Sequence, residues 1–353
     1  MAVLKIFPDK DATLYSLFPT MNTGLDEIVE ATETVFAYSD PSPQTSRFLV
    51  HFADEDLAAA FDPMPDAVYQ SGSWNAKLQC YVATATGLSV TTSIDCFPAA
   101  QNWDMGTGRY LDEPISTDGC SWIWAGYSGS SLWSPPAGAT ISYTSSVPAG
   151  GGVWYTGSQY TASITFSYRT NKDINLNVTN TVRAWTTGSG SVPFTKLPNY
   201  GFLLKQNLEF VYNKNYQPEL KYFSVDTNTI YPPALQISWN DFVFNTGSNN
   251  TQTILNTLPA TLTLAQNPGV FYSESINRFR INARPEYPVQ LWQTESVYMN
   301  NYYLPTASYY AIKDLDTNEY VVEFDTLFTQ LSADASSSYF DVYMNGLEPE
   351  RYY

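Results

Sequence analysis

The chain has 353 residues, a length that fits two or three domains. It carries 34 acidic and 17 basic side chains, which gives a net charge of −17 and a pI of about 4.3. This balance argues against nucleic acid and anionic membrane surfaces as partners, because both require clustered Lys and Arg. Charged residues make up only 14% of the chain, whereas 27 Tyr, 19 Phe and 9 Trp favour β-strands over helices.

The N-terminal residues, the cysteines and the single histidine give no sign of a secretion signal or of a metal site. Met1–Lys5 lacks the apolar core of a signal peptide, and no apolar run approaches the roughly 18 residues of a membrane span. The three cysteines, Cys80, Cys96 and Cys120, are an odd number without CxxC spacing, so we expect free, buried thiols in a protein that folds in a reducing cytoplasm. His51 is the only histidine, which excludes sites built from several histidines.

Two distant stretches are typical of the first and last strands of one β domain. Ile6–Tyr15 is the first, and Asn199–Lys205, followed by Pro232–Trp239, is the second. If they pair, about two thirds of the chain forms a single closed sandwich.

Alternating apolar and polar residues predict further strands between these ends. Arg47–Phe52 would place its apolar side chains on one face, and both Ala76–Val82 and Ser93–Pro98 alternate strictly. Helical patterns are few. Asp54–Phe61 begins with acids and continues at helical spacing, and Thr179–Thr187 is predicted to form another short helical turn.

Residues 100–160 differ from the strand-rich parts because they are dense in Gly, Ser, Pro and Trp. We predict long surface loops between strands here. The aromatic residues favour ordered loops over disorder, since they give the loops something to pack against.

A domain boundary is predicted near residue 240, dividing the chain into 1–240 and 241–353. Asn245–Asn250 has the composition of a linker. Beyond it, frequent turns suggest a small immunoglobulin-like sandwich, and Tyr339–Met344 is followed by Asn345-Gly346, a hairpin-turn dipeptide. Asp314–Asn318 resembles the start of a calcium loop, but Glu319 occupies the place of its required Gly, so we predict a plain hairpin loop.

The order and spacing of several segments resemble the DNRLRE-type jelly roll over about residues 1–240. The segments are Asp11-Ala-Thr13, Asn22-Thr-Gly24, Arg47–Phe52, Ala76–Val82, Asn102–Gly108, Asn177–Trp185, Asn199–Lys205 and Pro232–Ile237. The resemblance implies an N-terminal jelly-roll β-sandwich. Together with the strand-favouring composition and the smaller sandwich suggested by the turns after residue 240, this leads us to expect an all-β chain. Some members of that family are carbohydrate-binding modules, and others occur in surface and virion proteins.

The acidic, Tyr-, Asn- and Thr-rich chain is also similar in style to virion structural proteins of tailed bacteriophages. Such proteins fold in the host cytoplasm and are assembled on the exterior of the particle, which would reconcile free thiols with an extracellular type of fold. This resemblance implies other virion proteins and further copies of the chain as partners.

Aromatic residues of the long loops are the candidate ligand-binding residues. They are Trp122, Trp124, Tyr127, Trp133 and Trp154. Exposed rings can stack on sugar faces, because both are flat and partly apolar. The alternative is that these residues pack the long loops or a subunit interface, where Trp is also enriched. Trp103 matches a loop position of the family and is expected to be structural.

Asp9, Asp11 and Asp26 are candidate ligands for a structural calcium ion near the edge of the jelly roll. No other cofactor is expected, and no residue is assigned a catalytic role.

We therefore expect a non-enzymatic virion structural protein of the tail, baseplate, neck or capsid exterior that acts by protein–protein docking. The alternative is an adhesin that binds host-surface polysaccharide through loop Trp and Tyr residues. Polysaccharide degradation is a third hypothesis, and it would require acids clustered at a cleft.

Overall fold

The computed structural model describes residues 2–35, 43–88, 91–142, 149–186, 196–209, 218–246, 254–256, 259–287 and 302–353. By its internal packing the chain divides into two compact units. The large unit comprises Ile6–Pro63 and Gln70–Gln236, and the small unit comprises Met1–Lys5, Met64–Tyr69 and Ile237–Tyr353. Met1–Lys5 and Met64–Tyr69 thus belong to the same unit as the C-terminal part of the chain. A division of the chain at a single residue cannot describe these two units.

The elements up to Trp239 are mostly strands. In chain order they are β1 (Ala2–Ile6), β2 (Lys10–Tyr15), β3 (Ile28–Val35), β4 (Pro43–His51), α1 (Asp54–Phe61), α2 (Asp66–Ser71), β5 (Trp74–Cys80), β6 (Val82–Thr86), β7 (Thr92–Pro98), β8 (Ala139–Ser142), β9 (Gly150–Tyr155), β10 (Ala162–Phe166), β11 (Ile174–Asn177), α3 (Thr179–Thr186), β12 (Phe202–Gln206), β13 (Glu219–Phe223) and β14 (Ala234–Trp239).

The remaining elements follow Trp239. They are β15 (Ala260–Leu264), β16 (Ile276–Pro285), β17 (Ile312–Lys313), β18 (Tyr320–Val322), β19 (Ser332–Ala333), β20 (Ser338–Tyr343) and a 3₁₀ turn at Met344–Gly346.

The content of 39% strand and 9% helix confirms the predicted all-β class. None of the helices in the described part of the chain has the length and hydropathy needed to cross a membrane.

Local patterns explain several of these elements. Buried and half-buried residues alternate strictly along β5, as the sequence predicts for a strand with one core face. Three acids occupy the first turn of α1, where they complement the helix dipole, and Leu57, Ala60 and Phe61 are its buried residues. The predicted turn after Thr179 is confirmed as α3, with Val182 and Trp185 buried.

The main sheet of the large unit has eight strands and curls into a half-barrel. Its order is β10-β7-β12-β4-β3-β13-β6, with β2 also paired to β4. Val50 of β4 lies opposite both Asp11 of β2 and Phe202 of β12, so these two strands occupy opposite edges of β4. Within this sheet, β2 of the N-terminal stretch and β12 of the Asn199–Lys205 stretch are therefore joined through β4.

A buried asparagine fixes the first part of the long loop region. Asn22 donates from Nδ2 to the carbonyl oxygens of Met105 and Cys120 at 2.7 and 2.9 Å, and its Oδ1 accepts from the amide of Gly108 at 2.8 Å. A Cβ on Gly24 would lie 2.0 Å from the Met105 oxygen, so only glycine permits this approach. The loop is thus held by hydrogen bonds, as well as by its aromatic side chains.

The small unit contains a four-stranded sheet of order β15-β16-β20-β19 and the two-stranded pair β17-β18. Asp314 at the start of the β17–β18 connection accepts backbone hydrogen bonds from Asp316 and Thr317, at 2.7 and 3.3 Å, which confirms the predicted hairpin loop. The hairpin turn predicted at Asn345-Gly346 is wrong, because this dipeptide lies in the 3₁₀ turn. Gly346 is required there by a close approach: its Cβ would lie 2.5 Å from the Lys5 oxygen.

Candidate functional site

Most tryptophans of the loop region are buried. Trp103, Trp122, Trp133 and Trp154 are at most 6% exposed, and they pack with Leu14, Leu49, Val153 and Leu203 in one core cluster. The indole Nε1 atoms of Trp103 and Trp133 donate to the carbonyl oxygens of Tyr200 and Ser121, each at 2.9 Å. These rings therefore hold the loops against the sheet.

A buried ion cluster lies beside two of these rings, Trp122 and Trp154. Arg47 donates to both carboxylate oxygens of Glu209 at 2.8 and 2.7 Å, and to the carbonyl oxygen of Gly151 at 2.8 Å. Its guanidinium carbon lies 4.9 Å from the ring centroid of Trp122 and 5.1 Å from that of Trp154. Burial alone would raise the pKa of the Glu209 carboxyl, but the charges of Arg47 and Lys205 outweigh it and hold this pKa below its usual range.

Of the five aromatic residues predicted to bind a ligand, only Trp124 and Tyr127 are at the surface. Trp122, Trp133 and Trp154 cannot stack on a sugar or a partner without unpacking the core, which corrects their assignment as surface candidates. Trp124 is half-buried and Tyr127 is 60% exposed, so these two remain at the surface.

A groove elsewhere on the large unit combines aromatic and polar side chains. It has a volume of about 220 Å³ and is lined by Tyr15, Leu17, Phe18, Glu30, Thr32, Thr34, Gln44, Thr45, Ser46, Tyr110, Glu219 and Lys221. The Tyr110 ring lies 5.0 Å from the Tyr15 ring and 6.1 Å from the Phe18 ring, measured between centroids. Tyr110 is 41% exposed and so offers part of its ring to solvent.

The polar side of the groove is built by β3, β4 and β13. Lys221 Nζ lies 2.9 Å from Glu30 Oε1, and the hydroxyls of Thr32 and Ser46 share a hydrogen bond of 2.8 Å. Burial would lower the pKa of Lys221, but its hydrogen bond to Glu30 raises that pKa above the usual value. Burial and the Glu30 charge raise the pKa of Tyr110, so its hydroxyl is protonated at neutral pH.

Sequence reasoning missed this groove, because its residues come from distant parts of the chain. One signal was present. Glu30, Thr32 and Thr34 alternate along β3 and form a wholly polar row on one face of the strand. The aromatic residues that complete the groove, Phe18 and Tyr110, lie in loops and are brought there by the fold.

The three calcium candidates have different surroundings. Asp9 Oδ1 lies 2.5 Å from Nδ1 of His51, whereas the buried Asp11 accepts a 2.7 Å hydrogen bond from the Val225 amide. Burial, with Asp226 and Asp26 nearby, raises the pKa of Asp11 well above its usual range. No three metal-ligating side chains come together among the described residues.

The cysteines are free and buried, as the sequence predicts. Burial raises the pKa of each thiol, so none is a ready nucleophile or ligand.

The small unit exposes large apolar side chains within one short segment. Leu262 and Leu264 on β15 are 54% and 44% exposed. In the connection to β16, Val270 is 85% exposed and Tyr272 88%. The chain has no charged residue from Phe242 to Ser273, so this surface is a candidate for contact with another protein.

Comparison with protein-family models, with curated proteins and with solved structures finds no match for this chain.

Proposed function

We propose that this chain is a non-enzymatic structural protein that acts by docking onto other proteins. The observation that carries the proposal is the uncharged segment around β15, which exposes Leu262, Leu264, Val270 and Tyr272 on a chain whose net charge is −17. Large apolar side chains exposed to water cost free energy that a protein partner would recover.

The particle that we propose for it is a tailed-bacteriophage virion, with the chain on the exterior of the tail, baseplate, neck or capsid. The support for this part is the sequence resemblance together with the acidic, Tyr- and Asn-rich composition. Free, buried thiols fit a protein that folds in the host cytoplasm before assembly. Repetition around a symmetric particle would turn weak contacts into a stable attachment.

Particle fractionation tests this function. Particles from a culture that expresses the gene are banded on a density gradient, and an antibody raised against the purified chain is used to locate it. We expect the chain to band with intact particles and to stay with them after a high-salt wash. Recovery only among the free proteins at the top of the gradient would reject the proposal.

Glycan binding is a second candidate function, which the groove of the large unit favours over the tryptophan loops. The exposed part of Tyr110 can pack on a sugar face, while Glu30, Lys221 and Gln44 can hydrogen-bond its hydroxyls. At about 220 Å³ the groove is smaller than the roughly 300–1,000 Å³ of pockets for drug-sized ligands. It therefore suits one sugar ring of a larger glycan.

A glycan array with three variants tests this second function. Tyr110→Ala should abolish binding, because it removes the ring that the groove offers. Tyr168→Ala is the matched control, since Tyr168 is 83% exposed and lies outside the groove. If Tyr127→Ala loses binding and Tyr110→Ala binds as the wild type does, the glycan site lies in the loops and not in the groove.

A further inference from the structure

β15 is the outermost strand of its sheet in the described part of the small unit. Its partner there is β16, in the antiparallel register Ala260↔Pro285, Leu262↔Ala283 and Leu264↔Ile281. Among the described residues, no strand pairs with its other edge, which offers its backbone groups to a further strand.

The hydrogen bonds at both ends of the pair show which residues face the open edge. The Ala265 amide donates to the Arg280 oxygen at 2.8 Å, and the Glu286 amide donates to the Pro259 oxygen at 3.1 Å. Because hydrogen-bonded and non-hydrogen-bonded pairs alternate, Thr261 and Thr263 also direct their backbone groups towards β16. Ala260, Leu262 and Leu264 must then direct their amides and carbonyls outwards.

The side chains of the same three residues lie on the apolar face of the sheet. Residues directly opposite each other in a pair share a face, so Leu262 and Leu264 lie beside the buried Ala283 and Ile281. The two leucines are nevertheless 54% and 44% exposed. The core of the small unit covers their neighbours on β16, and Ala260 packs against it, but Leu262 and Leu264 remain exposed.

The edge also lacks the usual protection against pairing. Natural edge strands are commonly guarded by charged side chains, by proline within the strand or by a bulge. β15 has none of these within Ala260–Leu264, and its register with β16 is uninterrupted.

We propose that β15 pairs antiparallel with β15 of a second copy of this chain, about a two-fold axis at Leu262. This proposal rests on the docking function and names one partner for it. Leu262 would lie opposite Leu262 of the other copy, and Ala260 opposite Leu264. Each of these pairs would exchange two backbone hydrogen bonds, so the two four-stranded sheets would become one continuous sheet.

The sequence of β15 is complementary to itself in this arrangement. Apolar side chains meet apolar side chains on one face, and Thr261 meets Thr263 on the other, a pairing that stabilises antiparallel strands. Leu262 is the middle residue of the strand, so centring the axis there gives the longest overlap.

Charge also favours a second copy at this edge. Two copies with a net charge of −17 each repel one another over most approaches. The segment Phe242–Ser273 carries no charged side chain, so β15 itself brings no like charge to a contact with a second copy. A strongly basic partner would find no electrostatic attraction at this segment, whereas the segment adds no electrostatic repulsion between two identical copies.

Sedimentation velocity of the full chain over a concentration series tests the proposal. We expect the wild type to shift from monomer to dimer as its concentration rises. Leu262→Lys should raise the dimer dissociation constant about tenfold or more, because it places two like charges directly opposite each other on the axis. Leu315→Lys is the matched control: Leu315 is a loop leucine of the same unit, 64% exposed, and its change should leave the dimer intact.

The outcomes separate this proposal from the docking function itself. Near-UV circular dichroism checks that Leu262→Lys is folded, which we expect because its side chain is already 54% exposed. A wild type that stays monomeric throughout, or an equal loss of dimer in both variants, would overturn self-pairing. If such a chain still bands with particles, docking survives and its partner is a different protein.

Discussion

Arg47 and Glu209 form a two-point ion pair in the interior of the large unit. The guanidinium Nε and Nη2 atoms donate to the two carboxylate oxygens at 2.8 and 2.7 Å. The Arg47 side chain is fully buried and that of Glu209 is 6% exposed. Because Arg47 also donates to the carbonyl oxygen of Gly151, the pair connects strand β4 to strand β9.

Glu209→Gln should lower the free energy of unfolding of the large unit by about 3–5 kcal/mol, since it leaves a buried guanidinium without its counter-charge. Urea denaturation followed by tryptophan fluorescence measures the loss. Glu30→Gln is the control, because its partner Lys221 is 31% exposed and such pairs contribute about 1 kcal/mol or less. Equal losses in the two variants would contradict a structural role for the buried pair.

Burial of Asp11 predicts a pH-dependent stability. Burial, with Asp226 and Asp26 nearby, raises its folded-state pKa, so the folded state binds the proton more tightly than the unfolded state does. The contribution of Asp11 to stability therefore falls as pH rises from the unfolded pKa of about 3.9 through the folded value.

Asp11→Asn should remove this fall in stability at higher pH, because an amide does not titrate. Its oxygen can still accept the hydrogen bond from the Val225 amide. We expect the variant to be more stable than the wild type at neutral pH, with a difference that shrinks as pH falls towards 4. Denaturation curves across this range measure it, with the exposed Asp62→Asn as control. A difference that does not change with pH would be inconsistent with a buried, titrating Asp11.

The tryptophan loops should respond to mutation as a core does. Trp133→Ala should destabilise the large unit by about 3–5 kcal/mol, because Trp133 is 5% exposed and its indole donates to the Ser121 oxygen. Tyr127→Ala, at a residue 60% exposed, should change stability by no more than about 0.5 kcal/mol. Thermal unfolding of both variants distinguishes a packed loop region from one that merely displays its rings.

The strands were largely predictable, because alternation is a local property. β5 and α1 follow from patterns within a few residues. The groove was not predictable in the same way, since Glu30 and Lys221 are neighbours only through the pairing of β3 with β13. At Asn345-Gly346 the local turn signal failed, because Gly346 serves a close approach to Lys5, a contact distant in sequence.

The sequence indicates only indirectly that the tryptophans of the loop region are buried. Arg47 directly precedes the apolar run Phe48-Leu-Val50 in a strand. A charge at such a position needs a buried partner, and here Glu209 supplies it, while the Arg47 guanidinium lies near the rings of Trp122 and Trp154. The sequence cannot identify that partner, because the two residues are 162 positions apart.

Cysteine cross-linking along β15 tests docking between copies most directly. Residues opposite each other in a hydrogen-bonded antiparallel pair have Cα atoms about 5.5 Å apart, within the range that a disulfide spans. The native cysteines are buried and should not react in the folded chain. Leu262→Cys should therefore form a disulfide-linked dimer on oxidation. Leu264→Cys alone should not, because its two copies would lie about 13 Å apart along the strands. A Leu262→Cys chain that cross-links no more than Leu315→Cys would contradict the account.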